Sequence, residues 1–444
     1  MKISHYCIIV PDSPEKDQRI LFSTITGVAV VISKTQLEML QADPAEWLKS
    51  LSQDRRSFFM KNFVVGDLDQ EKKRILAKLL DVKNNPKTLT LTILTTMDCN
   101  LACVYCHEDG FKKPIYMNKE VAVSIANWIA SEVTKHGYKT VYLYFYGGEP
   151  LMNFSAIENI VLACEKWASS HNVKLLLDMS TNGILLTEKV ALKLRNLGFR
   201  SVQISLDGPP AVHNVRRPLK SSEKGSFDQI FNNIKEIRNI LRILIRTNVD
   251  SQNYDSLPKL MDILVENNLT KEVDFYLDMV APTHSGSCHC KQFAFKTTEE
   301  MMKLDYLWKE QEKRKIRFLG KTITDGLCGV FSSGFLTIDP EGYLYLCTGF
   351  VGIKEMVVGN VKSGFYQDIY EKIRMIEPWQ GCLDCKYVPI CAGGCRAQAS
   401  IKYSSCAAKD CKKAFYDYAF PLFLRHRFAG GSGGGDDQRS RVSC

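Results

Sequence analysis

The middle of the chain alternates between apolar, strand-like runs and stretches with helical periodicity. The predicted strands are short and apolar and cover residues 88–97, 140–146, 174–180, 201–206, 241–248 and 273–280. Amphipathic stretches such as KEVAVSIANWIASEVTKH separate them. Six β-then-α units predict an α/β fold with a parallel sheet and helical crossovers. Because six units are too few to close an eight-stranded barrel, we expect a partial, TIM-like (β/α)6 barrel with its functional residues at the carboxyl ends of the strands.

The first 85 residues follow another pattern, in which short strands precede helices. HYCIIVP and ILFSTITGVAVVIS predict three strands, the last two joined at a Thr-Gly turn. KTQLEMLQ and PAEWLKSLSQ predict helices, and FFMKNFVVGDLDQEKKRILAKLLD predicts a strand followed by a helix. This pattern indicates a small module ahead of the barrel.

Composition narrows the class of protein. With 444 residues and a hydrophobic share of 45%, the chain is long enough for about three soluble domains. The formal charge of +9 forms no long basic run, so it favours an acidic peptide partner rather than nucleic acid. No apolar stretch reaches the ~18 residues of a membrane span, and the N-terminus lacks a signal-peptide core. We expect a cytoplasmic protein whose 16 cysteines bind metal rather than form disulfides.

Three of those cysteines follow the first barrel strand directly. Cys99, Cys103 and Cys106 have the spacing C-x3-C-x2-C, and Tyr105 precedes the last thiol. Three thiolates on one loop can hold one face of an iron–sulfur cube, which usually takes four cysteine ligands. The missing ligand would leave one iron open to a small molecule, as in catalytic metal sites. A structural zinc loop or three unrelated core thiols are the alternatives, but no second zinc knuckle lies nearby.

This loop resembles the signature of the radical S-adenosylmethionine (SAM) enzymes. The resemblance implies that SAM binds the open iron of a [4Fe-4S] cluster through its amino and carboxylate groups, and that Tyr105 helps to hold the adenine. An electron from the cluster then cleaves SAM, and the 5′-deoxyadenosyl radical abstracts a hydrogen atom from the substrate. Residues 1–85 are similar to the small winged-helix-like modules that bind a precursor's leader peptide, for which strand addition is a suitable mode. A packing cap on the barrel is the alternative for this module.

The second barrel strand ends in the segment YFYGGEP. Gly147 and Gly148 permit close approach of the backbone to a ligand, and the Glu149 carboxylate can pair with an ammonium group. In the resembled family this segment, which ends at Pro150, holds the SAM amino group. Its position one β/α unit after the cysteine loop supports that interpretation.

The next three strands also end in side chains that can contact SAM or substrate. Ser180 and Asn182 can hydrogen-bond the ribose hydroxyls or the SAM carboxylate, with a plain turn as the alternative. Ser205 and Asp207 carry polar groups to the barrel top, and the resemblance makes Asp207 a substrate contact or proton acceptor, the candidate catalytic residue. Arg246 could pair with the SAM carboxylate or form a structural ion pair.

A second cysteine-rich region covers residues 321–411. Thirteen residues separate Cys328 from a glycine that precedes Cys347 by five positions, and C-x2-C-x5-C-x3-C then runs from Cys382 to Cys395. DPEGYLYLC predicts a hairpin with a Pro-Glu-Gly turn. This pattern resembles the SPASM extension of radical SAM enzymes, which holds two auxiliary iron–sulfur clusters. A zinc-only region is the alternative.

The family topology implies interleaved ligand sets. Cys328, Cys347 and Cys395 would bind a first auxiliary cluster. The second set would be Cys382, Cys385, Cys391 and Cys411.

Two ligand positions stay open. Cys411 fits the late position of the second set because it opens a new helical run, and Cys406 is the other candidate or could serve the first cluster. The first cluster otherwise binds substrate or takes another residue. Cys288 and Cys290 are candidates for that role, with free thiols as the alternative.

The patterns together predict four segments. Residues 1–85 form the leader-binding-like module, 86–300 the barrel, 301–427 the SPASM iron–sulfur domain and 428–444 a flexible tail. GGSGGG is typical of an engineered linker, and the DDQRSRVSC after it is either a tethered substrate or a cloning scar. His107 and His213 are expected at the polar surface or in caps.

The predicted function is maturation of a ribosomally made peptide by hydrogen abstraction, giving a crosslink, thioether, epimerised centre or oxidised residue. An anaerobic sulfatase-maturating enzyme, which forms formylglycine, is the second hypothesis. A non-catalytic electron carrier would need neither GGEP nor STNG. The expected cofactors are SAM and three [4Fe-4S] clusters. The expected partners are a precursor peptide and a reductase such as flavodoxin or ferredoxin, with no nucleic acid and no membrane.

Overall fold

The computed structural model describes the chain over residues 1–13, 15–106, 108–222, 224–280, 302–317 and 328–429. The predictions for His107, Cys288 and Cys290, and the tethered-substrate hypothesis for the tail, lie outside the described residues. Among the described helices, none combines the length and the apolar run that crossing a bilayer requires.

The N-terminal module is built on an antiparallel sheet with helices. Its elements in chain order are β1 (Lys2–Ile3), β2 (Cys7–Pro11), β3 (Gln18–Ser23), β4 (Ala29–Ser33), α1 (Lys34–Ala42), α2 (Pro44–Lys49), α3 (Gln53–Asn62), β5 (Val64–Val65) and α4 (Leu68–Asn84). β3 pairs with both β2 and β4, and β1 pairs with β5. Ser33 and Gln36 form a capping box that fixes the start of α1.

The strand predicted at the start of FFMKNFVVGD is wrong over most of its length. Helix α3 covers these residues up to Asn62, and only Val64–Val65 are extended. Phe59 and Phe63 are both buried, and their ring centroids lie 5.6 Å apart. Residues four apart are direct neighbours along a helix, whereas in a strand they would share a face but lie about 13 Å apart, so only the helical arrangement packs the two rings against each other.

The barrel region confirms the predicted α/β fold with a central parallel sheet. Its elements are β6 (Thr88–Leu94), α5 (Lys119–His136), β7 (Thr140–Tyr146), α6 (Phe154–Ser170), β8 (Lys174–Thr181), α7 (Glu188–Asn196), β9 (Phe199–Ser205), α8 (Pro210–Arg216), α9 (Phe227–Ile237), β10 (Arg242–Val249), α10 (Leu257–Glu266) and β11 (Val273–Met279). Neighbouring strands from β6 to β11 are parallel and in sequence order. Their carboxyl ends therefore meet at one edge of the sheet, where the predicted site residues lie.

The C-terminal region continues this sheet beyond β6. Its elements are α11 (Met302–Lys313), β12 (Phe335–Ile338), β13 (Tyr343–Tyr345), β14 (Gly359–Asn360), β15 (Gly364–Phe365), α12 (Gln367–Arg374), α13 (Val388–Cys391), α14 (Arg396–Tyr403) and α15 (Lys413–Ala429). The predicted hairpin is present: β12 pairs with β6 in parallel and with β13 antiparallel. The Asp339 carboxylate accepts the amides of Glu341 and Tyr343 at 3.0 and 2.9 Å and so fixes its turn.

The N-terminal module packs on the C-terminal cysteine region. Apolar residues of its sheet share a buried cluster with Tyr387, Phe420 and Phe423. The Tyr6 hydroxyl donates to the Leu383 carbonyl at 2.5 Å, between two predicted cluster ligands. The module therefore contacts an expected iron-binding loop directly.

Candidate functional site

The cysteine loop and the GGEP segment are held together by their backbones. The Gly148 amide donates to the Thr96 carbonyl at 3.2 Å, and the Glu149 amide donates to the Asp98 carbonyl at 2.9 Å. A Cβ on Gly148 would lie 2.0 Å from the Asp98 oxygen, and Gly147 has a φ of 118°, which favours glycine. In this structure both glycines approach the chain just before the cysteine loop, between Leu94 and Asp98. The predicted contact with a ligand stays a prediction.

Glu149 lies beneath this contact as a fully buried carboxylate. It accepts hydrogen bonds from the Leu151 amide at 3.1 Å, the Thr181 hydroxyl at 2.7 Å and the Asn182 amide at 2.7 Å. Burial raises the pKa of Glu149, and these donors partly offset that effect. Pro150 starts the following turn, and its carbonyl accepts a hydrogen bond from another buried hydroxyl. The segment thus presents a carboxylate of fixed orientation beside the cysteine loop.

The Asn182 side chain contacts the first cysteine and also caps the following turn, since its Oδ1 accepts the Ile184 amide at 3.0 Å. Its side-chain amide donates to Asn100 Oδ1 at 2.6 Å and contacts Cys99 Sγ at 3.7 Å. The Leu101 amide also points at this sulfur, at 3.5 Å. Ser180, on the same strand, accepts a hydrogen bond from a neighbouring glutamine at 3.1 Å. The end of β8 therefore contributes to the thiol site directly.

The donor set of the cysteine loop suits an iron–sulfur cluster. Burial raises the pKa of Cys99 to about 12 and that of Cys106 to about 11, so these thiols stay protonated at neutral pH until metal displaces the proton. Lys112 interacts electrostatically with all three thiols, Cys103 included. Within the described residues, no three His, Cys, Asp or Glu side chains are placed to hold a single metal ion. A cubane distributes its ligands over several irons, so three thiols on one loop can serve one cluster.

Tyr105 is held by a buried polar network at the barrel top. Its hydroxyl donates to Asp207 and accepts hydrogen bonds from Arg217 at 2.6 Å and from the Asn248 side chain at 3.1 Å. Asp207 is fully buried, and a charged nitrogen of Arg217 lies 3.6 Å from it. Burial raises the pKa of Tyr105 well above its usual value, so the phenol remains a donor. The network fixes the loop between its second and third cysteines.

The remaining predicted site residues, Asp207, Arg246 and Ser205, have different surroundings. Asn248 also donates to Asp207 Oδ1 through its amide at 3.0 Å and its side chain at 3.1 Å, and the Tyr105 hydroxyl donates to Oδ2, so both Asp207 oxygens have partners. Although burial opposes it, the neighbouring arginines hold the pKa of Asp207 below its usual value. Arg246 forms an ion pair with Asp278 at 3.0 Å, the structural alternative of the sequence interpretation. Ser205 lies beside Arg246 in the sheet register, half-buried.

The prediction that His213 lies at the polar surface is wrong. Its side chain is fully buried, and the Asp207 amide donates to its Nδ1 at 3.2 Å. Nε2 lies 3.1 Å from the Ser226 hydroxyl, and Phe227 packs against the ring. Burial lowers the pKa of His213 to about 3. Helix α8 directs the imidazole towards the interior. A single histidine in the sequence gives no sign of this.

The C-terminal cysteines form two groups. Electrostatic interactions connect Cys382 with Cys385 and Cys411, and they connect Cys391 with both Cys385 and Cys382. A second group surrounds one buried arginine, Arg396, which interacts with three thiols: Cys328, Cys395 and Cys406. Cys347 is partly buried against the large barrel core, which Cys103 of the first loop also contacts. The assignment of these cysteines to two clusters stays a prediction.

Several residues of the site were missed by the sequence interpretation. Arg217, Asn248 and Thr181 each contact a predicted site residue through side-chain atoms. Two of them adjoin segments that were singled out, STNG and RTNVD, so the polar run at each strand end was a usable signal. Arg217 comes from VRRP, more than a hundred positions from Tyr105, and no local pattern connects the two.

Comparison with known proteins gives a consistent result. The family model described as the Radical SAM superfamily matches residues 93–264. A cysteine-type anaerobic sulfatase-maturating enzyme of Clostridium perfringens is 24% identical over 369 residues, which is 73% of this chain and 94% of that protein. The mycofactocin maturase MftC of Mycolicibacterium smegmatis is 26% identical over 329 residues, or 70% of this chain and 78% of that protein.

Two solved structures share the fold at low identity. The anSMEcpe structure with bound AdoMet has a TM-score of 0.59 at 20% identity and covers 76% of this chain and 98% of its own. SuiB of Streptococcus suis, bound to the precursor peptide SuiA, has a TM-score of 0.55 at 17% identity and covers 92% and 98%. The second match spans more than the barrel and cysteine regions together, so it extends into the N-terminal module.

Proposed function

Because the chain belongs to the radical SAM superfamily of enzymes, with its radical SAM domain at residues 93–264, we propose that it modifies a ribosomally made peptide. The family implies a [4Fe-4S] cluster and SAM. When bound, they supply a 5′-deoxyadenosyl radical that takes a hydrogen atom from the substrate.

The cluster ligands in this proposal are Cys99, Cys103 and Cys106. The backbone of Gly148 and Glu149 lies against that loop and would receive the SAM amino group. The Glu149 carboxylate already accepts three hydrogen bonds and would hold the segment in place. Both groups are held by backbone hydrogen bonds, so they are oriented before the ligand arrives, which lowers the cost of binding.

Tyr105 and Asp207 have a different role in this proposal. The Tyr105 hydroxyl already has three partners, so the adenine would contact the backbone beside it rather than the phenol. We assign Asp207 as a positioning residue, because both its oxygens are occupied and its side chain is fully buried. Ser180, Ser205 and Arg246 stay candidate contacts to SAM or substrate.

The observation that carries the proposal is the contact of Cys99 with Asn182 and of the loop with Glu149 at the carboxyl ends of parallel strands. The two further groups of cysteines favour two auxiliary clusters, three in all. The SuiB structure holds a precursor peptide, and an anSMEcpe structure holds the Kp18Cys peptide. A peptide substrate fits both, and a leader-binding role for residues 1–85 fits the longer SuiB match.

The decisive experiment compares the anaerobically reconstituted chain with its Cys99→Ala/Cys103→Ala/Cys106→Ala variant. With SAM and dithionite, we expect 5′-deoxyadenosine from the parent and none from the variant, while the variant keeps its auxiliary iron. A precursor peptide encoded beside the gene should then change in mass, and a deuterated peptide should pass its label to 5′-deoxyadenosine. The mass of the tail, residues 430–444, measured in the same reaction, tests the tethered-substrate hypothesis. A parent that makes no 5′-deoxyadenosine under strong reductant contradicts the proposal.

Sulfatase maturation is the second candidate, favoured by the similarity to the Clostridium perfringens enzyme over most of that protein's length. It predicts conversion of a cysteine-containing sulfatase peptide to formylglycine. Such conversion, with no change in a neighbouring precursor peptide, would favour it over the first candidate. The need for a reductase such as flavodoxin or ferredoxin is common to both.

A further inference from the structure

One of the two auxiliary ligand sets is short of a cysteine. In the proposed assignment, four cysteines serve the second cluster, but only Cys328, Cys347 and Cys395 serve the first. A cubane bound by protein alone takes four ligands. The inference below rests on the proposed function, because it concerns a cluster of that proposal.

Arg396 lies where the segments that carry Cys328 and Cys395 meet the segment that carries Cys406. Its guanidinium is fully buried and donates to the Gly394 carbonyl at 3.1 and 3.2 Å and to the Cys406 carbonyl at 3.0 Å. The ring of Phe331, three residues after Cys328, has its centroid 5.6 Å from the guanidinium carbon. One side chain therefore joins the segments of Cys328, Cys395 and Cys406.

The segment that follows the hairpin and carries Cys347 also packs beside Arg396. The Gly349 amide points at Cys347 Sγ at 3.3 Å, and a Cβ on Gly349 would lie 3.1 Å from the Cβ of Ala397, next to Arg396. β12 and β13 are antiparallel, so the two chain ends of this hairpin, towards Cys328 and towards Cys347, leave it on the same side. The turn after Cys347 thus packs on the first turn of α14.

Cys406 belongs to this group, whereas Cys411 does not. Cys406 is half-buried, and its carbonyl accepts a hydrogen bond at 3.0 Å from Arg396, the residue next to Cys395. Cys411 is exposed, and the thiol with which it interacts is Cys382 of the second set. The intervening Asp410 is fully buried and already accepts from Lys402 at 2.6 Å, so it is a poor competitor for metal.

We propose that the Cys406 thiolate is the fourth ligand of the first auxiliary cluster. This cluster then has no iron open to substrate. A cluster with all irons ligated by protein carries electrons, with a potential set by burial and hydrogen bonds, and does not bind the substrate directly. The buried positive charge of Arg396 would be one of the groups that set the reduction potential of this cluster.

The test uses the Cys99→Ala/Cys103→Ala/Cys106→Ala chain as parent, so that only auxiliary clusters contribute. Three further variants are made on it: Cys406→Ala, the control Cys7→Ala, which removes a half-buried thiol of the N-terminal module, and Cys288→Ala/Cys290→Ala. Iron and sulfide content, the EPR spectrum of the reduced protein and its response to added 2-mercaptoethanol are measured.

We expect about eight irons in the parent and a spectrum that 2-mercaptoethanol leaves unchanged. Cys406→Ala should lose at least one iron per chain or gain a spectrum that the thiol alters, and Cys7→Ala should match the parent. A Cys406→Ala protein identical to the parent overturns the inference, as does a parent that responds to the thiol or a Cys288→Ala/Cys290→Ala chain that shows the loss. A parent with no auxiliary iron removes this inference together with the three-cluster proposal, so the two failures are distinguishable.

Discussion

Removal of Asp207 tests how the cysteine loop is fixed to the barrel. Asp207 is fully buried, and the Arg217 side chain is only 9% exposed. Taking away one partner of a buried ion pair leaves an uncompensated charge and costs about 3–5 kcal/mol. Asp207→Ala should therefore destabilise the barrel by about that amount. Asp207→Ala/Arg217→Ala should cost less than the sum of the single changes by about 1–3 kcal/mol, since neither charge is then left alone.

Thermal unfolding of the metal-free chain measures this effect. For a unit of about 150–250 residues, each kcal/mol corresponds to about 2–4 °C, so Asp207→Ala should lower the midpoint of the barrel transition by about 6–20 °C. Glu46→Ala is the control, because it breaks an ion pair with Lys49 whose side chains are both 71% exposed. Such pairs contribute about 0–1 kcal/mol. The reasoning fails if Asp207→Ala shifts the midpoint no more than Glu46→Ala, or if the double variant equals the sum.

The same pair makes a prediction about pH. The pKa of Asp207 is lowered in the folded chain because, although burial opposes it, Arg217 and Arg216 favour the carboxylate. The contribution of the Asp207 carboxylate to the free energy of unfolding is then fully present above about pH 3.9, the pKa of an aspartate in the unfolded chain. It is lost as the pH falls through the lower pKa that Asp207 has in the folded chain. The stabilities of the parent and of Asp207→Asn should therefore converge in acid. Curves that stay parallel below pH 4 would contradict this.

Three further predictions concern the surroundings of the site. Burial lowers the pKa of His213 to about 3, so the free energy of unfolding should fall by up to about 1.4 kcal/mol per pH unit as the pH drops from about 6.5 towards 3. In urea titrations His213→Gln should flatten this slope, and the exposed control His136→Gln should leave it unchanged. Equal slopes in the two variants would refute the prediction. Gly148→Ala should cost about 1–3 kcal/mol of stability and lower iron retention, because the new methyl group meets a backbone oxygen. The control Gly66→Ala places its methyl group in open space and should be near neutral. Similar losses in both variants would count against the contact of Gly148 with the cysteine loop. Tyr6→Phe removes a hydrogen bond to the loop of the second auxiliary set and should cost about 0.5–1.5 kcal/mol while shifting one auxiliary potential in an EPR redox titration; an unchanged potential would show that the module does not influence that cluster.

Strand positions were predictable from sequence because burial on both sheet faces produces continuous apolar runs. The observed β7 coincides with the predicted 140–146, and β9 with 201–206 to within two residues. The assignment of the cysteines to clusters stays a prediction, because the first set, from Cys328 to Cys395, comes from distant segments. Helix α3 was missed since its aromatic residues suit either structure, and only the packing of Phe59 decides between them.

The polar network around Tyr105 was beyond sequence interpretation. Its members come from the cysteine loop, from the end of β9, from the segment after α8 and from β10, and only closure of the parallel sheet brings them together. For the same reason Asp207 could be placed at the barrel top but not given partners. A candidate catalytic carboxylate and a structural one look alike in sequence, and the donors on both oxygens, from Tyr105 and Asn248, support the positioning role that we propose.

The edges of the N-terminal sheet differ in their capacity to accept a peptide strand. On the β2 side, helix α15 contacts the strand, Arg425 donates to the Pro11 carbonyl at 3.5 Å, and Pro11 has no amide to offer. β4 pairs only with β3 within the described part of the chain. A strand added at β4 would gain main-chain hydrogen bonds without displacing this helix. The proposed leader site is therefore the β4 edge.

The register identifies which β4 residue a peptide would use. Lys34 donates its amide to Asp17 at 2.7 Å, and Ser23 donates to Val28 at 2.9 Å. Antiparallel pairs alternate between bonded and non-bonded, so the amide of Val31 faces away from β3. Val31→Pro should leave the module folded but weaken binding of a fluorescent precursor peptide about tenfold, the equivalent of about 1.4 kcal/mol for a lost hydrogen bond. Unchanged anisotropy titrations with a folded variant would exclude strand addition at this edge.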